Sequence, residues 1–200
     1  EEFSMCFTKA NLLKNGKISR HPIPFNKDTF EGKDLLATNN FICTASVVFR
    51  AEILKNINNI DKYPFGDLAL HLNASKAGKI KCLDDITTVY RIHDKGLWSR
   101  LNKQDELIKY LNFYKIYFTD ATTEEKQIIK EKSYQKILNC KIKAPFIKQH
   151  LFKFNLLFKY SFTRTRSIKF VINITKIVTF RVLKKVYGGI NKIQHNNTLL

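Results

Sequence analysis

Residues 65–83 have the sequence FGDLALHLNASKAGKIKCL, and the order of elements in this stretch decides the fold. Gly66-Asp67 begins a run of helical spacing that continues to Lys76. Gly78 stands where a helix end favours a residue that tolerates positive φ. Lys79 to Leu83 then has the composition of a short strand. This strand and helix order is typical of a layered α/β domain.

The sequence on both sides extends this pattern. Thr87 to Arg91 predicts a second short strand, separated from the first by Asp84-Asp85. Before the helix, Phe41 to Arg50 is rich in β-branched and aromatic residues, which predicts a buried strand. Ala51 to Ile57 has the spacing of a short helix that leaves this strand.

The N-terminal residues predict a hairpin and a helix. Phe3 to Thr8 alternates with the period of a strand, and Asn15-Gly16 is a strong signal for a tight turn. Lys17 to Ser19 is therefore predicted to return as a short partner strand. Phe30 to Thr38 has helical spacing, and Asn39-Asn40 is predicted to end that helix.

The pattern changes after residue 100. Apolar residues recur at helical spacing from Lys103 to Phe118, and again after Thr122, a favourable helix start. Residues 146–187 mix apolar and basic side chains, and no stretch reaches the roughly 18 uncharged apolar residues of a membrane span. We therefore predict an α/β domain over residues 1–100 and a helical, basic C-terminal extension over residues 101–200.

Charge and cysteine usage limit the environment. The net charge is +18, and Lys and Arg continue to Lys192 although the last acidic residue is Glu131. Such a segment either binds polyanions, including an anionic membrane surface, or forms a solvated basic face. The four cysteines lack the spacing of a zinc site, which favours buried free thiols and the cytoplasm. Because the chain begins Glu1-Glu2 without an initiator Met, we expect a fragment of a longer protein.

Asp67 is the first candidate for chemistry. An Asp at a helix start commonly accepts the free backbone N–H groups, so a structural role is one interpretation. A general base is the other, because transfer of a glycosyl group to a hydroxyl requires a carboxylate that removes the proton. Both interpretations are open from the sequence.

Three residues near the end of the second strand are further candidates. His93 is either a hydrogen-bonded surface residue or a ligand of a divalent cation that neutralises a diphosphate. Arg91 can pair with Asp84 or Asp85, or contact a phosphate. Trp98, the only tryptophan, either stacks on a sugar or closes the core.

Five short motifs occur together in a fixed order. They are NFICTASVVFR over residues 40–50, FGDLALHL over 65–72, Gly78-Lys79-Ile80, VYRIH over 89–93 and GLWS over 96–99. Together they resemble the acceptor half of bacterial family 2 glycosyltransferases, which have the GT-A fold. The resemblance covers about residues 1–100.

The resemblance implies inverting transfer from a nucleotide-sugar donor to a saccharide or lipid-linked acceptor, in cell-surface polysaccharide or lipopolysaccharide synthesis. It implies that Asp67 is the base and that His93 assists a divalent cation, Mg²⁺ or Mn²⁺. Thr44 and Ser46 would line the acceptor side, and Trp98 would lie near the donor or acceptor sugar. Arg91 is a further substrate-binding candidate because its guanidinium can contact a phosphate.

One family feature does not occur in the sequence. No Asp-x-Asp motif is present, and the family order places it before Glu1. Most cation ligands, and the nucleotide-binding half of a partial GT-A domain, are therefore expected outside this chain. We expect the fragment alone to be inactive, and its parent to lie in the cytoplasm, peripheral to the inner face of the membrane.

A second class of function competes with this one. The positive charge also fits a non-enzymatic helical module that binds nucleic acid or an anionic membrane. No recognisable nucleic-acid motif accompanies the charge, so we expect no specific nucleic-acid partner.

Overall fold

A computed structural model describes residues 2–55, 60–96, 99–141 and 146–160. The chain divides into two compact units, Glu1–Lys141 and Ile142–Leu200. The first unit is a mixed α/β fold with an open sheet, as the sequence predicts at this coarse level.

The sheet is organised around one long strand. Strand β1, Phe3–Lys14, pairs antiparallel with β2, Lys17–Arg20, and with β4, Val47–Phe49. On its other side β1 pairs parallel with β5, Lys79–Ile92. The short strand β3, Thr29–Phe30, pairs antiparallel with β5. The resulting sheet is mixed, and β1 is central to it.

The predicted hairpin is confirmed. Asn15 and Gly16 have φ of 50° and 76°, and they join β1 to β2 by a two-residue loop. Two successive positive φ angles define the tight turn that matches the twist of paired strands, and Asn-Gly is its preferred sequence. The first strand extends to Lys14, well beyond the predicted end at Thr8, because the hairpin partner continues the ladder.

The prediction of two short strands around Asp84-Asp85 is wrong, because β5 is one continuous strand. Asp84 and Asp85 are extra residues opposite the Thr8–Lys9 step of β1, and the irregular register there accommodates them. Lys9 Nζ lies 2.6 Å from Asp84 Oδ1. Asp84-Asp85 therefore marks a bulge within the strand and not a loop between strands.

The prediction of a strand over Phe41 to Arg50 is also largely wrong, since only β4 is extended and paired. Phe41 to Cys43 are three consecutive buried residues, but they belong to no strand. Thr44–Ser46 then forms a turn of 3₁₀ helix, in which the Ser46 hydroxyl donates to the Cys43 carbonyl oxygen at 2.8 Å. Burial and a local side-chain bond override the strand propensity.

The predicted helices are confirmed with small changes of boundary. Asn102 and Thr122 are the N-cap residues of the two long ones, and each side-chain oxygen accepts backbone N–H groups. The helices of the first unit are α1 (Gly32–Thr38), α2 (Ala51–Lys55), α3 (Gly66–Ser75), α4 (Lys103–Tyr117) and α5 (Thr123–Asn139).

The core of the first unit is strongly aromatic. The ring of Phe7 on β1 lies 6.0 Å from that of Phe30 and 5.9 Å from that of Phe41. A second cluster joins Phe65, just before α3, to Phe113 of α4 at 5.7 Å. Helices α4 and α5 therefore belong to the same compact unit as the sheet. The sequence pattern changes at residue 100. The division into two domains at that residue stays a prediction.

Gly78 is required for a reason other than the predicted one. Its φ is not positive, so it is not a left-handed helix end. A Cβ at this position would lie 3.0 Å from the Glu2 carbonyl oxygen and from the Ser4 backbone nitrogen. Glycine therefore permits close approach of β1 to the start of β5.

The second unit is described over helix α6, Phe146–Lys159, and Tyr160. The helix contains basic residues and no acidic residue. None of the helices in the described ranges combines the length and the apolar composition needed to span a bilayer.

Candidate active site

A small cavity of about 210 Å³ lies beside the start of α3. It brings together residues that are distant in the sequence, from the end of α1, the 3₁₀ turn, α3, β5 and α4. Most of its polar side chains are neutral, and Asp67 provides a carboxylate. The lining residues are His21, Asn39, Asn40, Ile42, Cys43, Thr44, Phe65, Asp67, Leu68, Tyr90 and Tyr110.

Asp67 is the second residue of α3 and is half-buried. Its Oδ1 accepts the Leu68 backbone N–H at 2.8 Å. Its Oδ2 accepts the Thr44 hydroxyl at 3.2 Å and the Asn40 side-chain amide at 3.4 Å. Both oxygens are thus oriented by hydrogen bonds, while the described residues contain no ion-pair partner for this carboxylate. The N-cap of α3 is Phe65, so capping alone does not account for Asp67.

Asn40 holds its position because the chain reverses direction at the end of α1. Asn39 and Asn40 have φ of 65° and 63°, in the left-handed region that Asn adopts more readily than most residues. The side-chain oxygen of Asn40 lies 3.2 Å from His71 Nδ1, while its amide nitrogen faces Asp67. Asn40 therefore links the carboxylate to the histidine one helical turn further along α3.

His71 is fully buried. Burial lowers its pKa to about 4, and the Asp67 carboxylate opposes part of this shift. The imidazole is therefore neutral at pH 7. Because Asn40 presents an oxygen to Nδ1, Nδ1 carries the proton, which leaves Nε2 as a lone-pair acceptor. Within the described residues Nε2 has no hydrogen-bond partner.

Two tyrosines border the cavity from other elements. Tyr90 comes from β5 and Tyr110 from α4. Burial raises the pKa of Tyr110 to about 12, and the carboxylates of Glu106 and Asp67 add to the shift. Tyr110 is therefore a protonated phenol at neutral pH, and cannot serve as a base beside Asp67.

The structure brings together only some of the predicted site residues. Thr44 and Asp67 are hydrogen-bonded in the cavity. Ser46 is buried with its hydroxyl on the Cys43 carbonyl oxygen, and does not line the cavity. Arg91 and His93 are exposed and are not among the lining residues, although Tyr90 is. Trp98 lies outside the described residues.

Of the two carboxylates considered as partners of Arg91, Asp84 forms an ion pair with Lys9, while the pairing with Asp85 and the contact with a phosphate stay predictions. The Lys9 side chain bonds to the Asp84 carboxylate at 2.6 Å and lowers its pKa. In the part of the chain that the structure describes, no three His, Cys, Asp or Glu side chains are grouped to hold a metal ion.

Sequence reasoning missed Asn40, His71, Tyr90 and Tyr110 as site residues. The i, i+4 spacing of Asp67 and His71 was a usable signal, because such residues share one face of a helix. No sequence signal placed Asn40 against them, since that contact depends on the backbone reversal after α1.

Searches against protein-family models, curated proteins and solved structures found no match to this chain. The assignment of a function therefore depends on the motifs in the sequence and on the geometry of the cavity.

Proposed function

We propose that the chain is the acceptor-side part of an inverting glycosyltransferase of the GT-A type, with Asp67 as the general base. One observation carries this proposal. The Asp67 carboxylate lines a cavity with polar walls, and neutral donors from Thr44 and Asn40 hold it there. Hydrogen bonds from neutral groups orient the carboxylate toward the cavity without an opposite charge that covers its oxygens.

In the proposed reaction the acceptor hydroxyl attacks the anomeric carbon of the donor sugar. The new C–O bond forms as the bond to the nucleoside diphosphate breaks, and its electron pair leaves with the diphosphate. Asp67 takes the hydroxyl proton as the new bond forms. Thr44 and Asn40 fix the carboxylate, and the neutral His71 orients the Asn40 amide toward it.

The donor side of the reaction belongs to the proposal through the resemblance alone. A nucleotide sugar and a saccharide or lipid-linked acceptor are the proposed substrates. A divalent cation, when bound, would neutralise the diphosphate, with His93 as one ligand and the others outside this chain. The proposed location is the cytoplasmic face of the membrane, in cell-surface polysaccharide or lipopolysaccharide synthesis.

The test compares two carboxylate variants of the complete natural protein in a sugar-transfer assay. Nucleotide sugars with a labelled sugar are supplied together with a crude lipid and saccharide extract. Asp67→Asn should lower the transfer rate at least about 100-fold, the usual contribution of a general base. Asp84→Asn is the matched control, because that carboxylate is exposed on the β5 bulge and should leave the rate within about twofold. Full transfer by Asp67→Asn would remove Asp67 from the mechanism.

A membrane-surface role for the second unit has its own support. The exposed face of α6 carries Leu151 and Phe158, which are 56% and 72% exposed, with Lys148 and Lys159 on the same face. Apolar residues flanked by lysines are typical of helices that lie in the interface of anionic bilayers.

Vesicle flotation tests this role. The protein should float with vesicles that contain anionic lipid and not with neutral vesicles at about 0.15 M salt. Lys148→Gln/Lys159→Gln should weaken flotation, because each lysine near an anionic surface contributes about 1 kcal/mol. Equal flotation with neutral and anionic vesicles would contradict the electrostatic interpretation. Sequence-selective binding of an oligonucleotide would favour the competing nucleic-acid class instead.

A further inference from the structure

A second cavity, of about 490 Å³, lies in the first unit between α4 and α5. Four lysines line it: Lys103 from the start of α4, Lys132 and Lys136 from α5, and Lys141 just after α5. We refer to this cavity as the lysine cleft. Its one carboxylate, that of Glu106, bonds to Lys103 at 3.0 Å. The other three lysines therefore give the cleft a substantial positive charge.

Lys136 is the most constrained of these lysines. Its Nζ lies 3.9 Å from the centre of the Tyr110 ring. At this distance the π electrons of the ring stabilise the ammonium group. Burial lowers the pKa of Lys136 to about 8, with Lys132 and Lys103 adding to the shift and Glu106 opposing it. An anion bound in the cleft would stabilise the charged form of Lys136 beyond what Glu106 provides.

The dipole of α5 explains only part of this arrangement. Basic residues in the last turn of a helix interact favourably with its carbonyl groups, which accounts for Lys136. Lys132 lies one turn earlier, outside the reach of that effect, yet it occupies the same face of the helix at i, i+4. The partial charge of roughly half a unit at the helix end is small beside three lysines.

The lysine cleft adjoins the cavity that holds Asp67. Asn39 and Tyr110 line both cavities. The Asn39 side-chain oxygen accepts the Tyr114 hydroxyl at 2.9 Å, so this shared wall is fixed by α4. The Asp67 cavity and the lysine cleft are therefore neighbours with Asn39 and Tyr110 between them.

We propose that the lysine cleft binds a phosphate group of the acceptor substrate, whose hydroxyl reaches Asp67. This inference rests on the proposed function for the role of Asp67, but the phosphate site itself does not. Phosphate is the favoured anion because several ammonium groups can surround its oxygens as point charges, without the planar fork that carboxylates match in Arg. The phosphate belongs either to a lipid-linked saccharide phosphate or to a soluble sugar phosphate, because the acceptor must also carry the hydroxyl that reaches Asp67.

Inorganic pyrophosphate is the first probe, with binding measured by calorimetry on the full chain at about 0.15 M salt. Lys132→Met/Lys136→Met should weaken binding at least about tenfold, because two charge-assisted contacts are lost. Lys126→Met/Lys130→Met is the matched control. It removes the same charge at the same i, i+4 spacing from α5, where both lysines lie over Phe118 instead. The control should change binding by less than about twofold.

The second set of probes distinguishes the source of the phosphate. A prenyl phosphate in neutral micelles is compared with the same prenyl alcohol and with a soluble hexose phosphate. Tighter binding of the prenyl phosphate identifies a lipid acceptor, and tighter binding of the hexose phosphate identifies a soluble one. Equal binding of prenyl phosphate and prenyl alcohol, or equal losses in the two double variants, would overturn the phosphate site. Absence of pyrophosphate binding would overturn it too.

The Asp67→Asn variant separates this inference from the proposed function. It should bind pyrophosphate as tightly as the natural chain, because Asp67 does not line the lysine cleft. If the cleft binds phosphate while Asp67→Asn transfers sugar normally, the phosphate site is supported and the role of Asp67 as general base is contradicted. If Asp67→Asn loses transfer while the cleft binds no phosphate, the general base is supported and the phosphate site is contradicted.

Discussion

The two halves of the β1–β5 ladder have the same parallel pairing but opposite surroundings. In the inner half, Phe3–Thr8 pairs with Lys79–Leu83, and residues such as Phe7 and Ile80 are fully buried. In the outer half, beyond the bulge at Asp84-Asp85, most side chains of β5 are exposed. Backbone pairing therefore continues where burial does not, so the ladder alone does not measure how stable each half is.

The candidate site lies where these two halves meet. Thr44 belongs to the turn that leads into β4, which pairs with Met5–Phe7 of the inner half. Asp67 belongs to α3, which contacts β1, whereas Tyr90 comes from the outer half of β5. Asp67, the proposed general base, is thus next to the better-packed part of the unit, and the outer half contributes one wall of the cavity. Such a division is common in binding sites, where a rigid framework is combined with a more mobile wall.

The largest expected effect comes from the core beneath the inner half. Phe7→Ala should lower the free energy of unfolding by about 3–5 kcal/mol, because it leaves a cavity between Phe30 and Phe41. Val89→Ala, in the outer half and 53% exposed, should lower it by about 0.5 kcal/mol or less. Urea denaturation of both variants measures the contrast. Equal losses would show that the two halves are equally well packed.

The next effect is a pH dependence that arises from His71. Its pKa is about 4 in the folded chain and 6.5 in the unfolded chain, so the unfolded chain binds more protons between these values. The stabilisation is fully present above pH 6.5 and is lost as the pH falls toward 4. The difference between the two pKa values corresponds to roughly 3 kcal/mol.

His71→Gln provides the comparison for this prediction. Denaturation between pH 7 and 4 should give a shallower loss of stability in the variant than in the natural chain. His21, whose pKa burial also lowers, is present in both proteins and cancels in the difference. Parallel pH profiles would show that His71 titrates alike in the folded and unfolded chains.

The sequence predicted elements with strong local signals and missed those that depend on distant contacts. Asn15-Gly16 predicted its turn, and Thr122 predicted the start of α5, because each acts on its own backbone. The stretch from Phe41 to Arg50 was misassigned because burial from several sides imitates the composition of a strand.

The candidate site was predicted to a similar extent. Asp67 and Thr44 were predicted as site residues, and in the structure the Thr44 hydroxyl donates a hydrogen bond to Asp67 Oδ2 at 3.2 Å. Asn40 was seen only as a helix end, because its bonds to Asp67 and His71 join residues about 30 positions apart. Arg91 and His93 were grouped with Asp67 through the resemblance, and their roles stay predictions.

A smaller effect tests how closely the backbones approach in the inner half. Gly78→Ala should lower the free energy of unfolding by about 1–3 kcal/mol, because its Cβ would lie 3.0 Å from backbone atoms of Glu2 and Ser4. Gly66→Ala is the matched control, since apart from its chain neighbours and its own helix backbone no atom lies within 4 Å of its Cβ, and alanine favours a helix. Thermal denaturation should rank Gly66→Ala at or above the natural chain. The opposite order would mean that the β1 backbone moves aside freely.

The smallest effect is expected at the tip of the outer half. Gly16→Ala introduces a side chain at φ 76° and should cost about 1 kcal/mol, while Gly16→Asn should cost less because Asn tolerates this region. The loss should be local, because the outer half has little core to transmit it. Hydrogen exchange at Leu12 and Leu13, which pair with β2, should quicken more than exchange at Phe7. If all three amides quicken equally, the halves unfold as one cooperative unit, and the division at the Asp84-Asp85 bulge has no thermodynamic meaning.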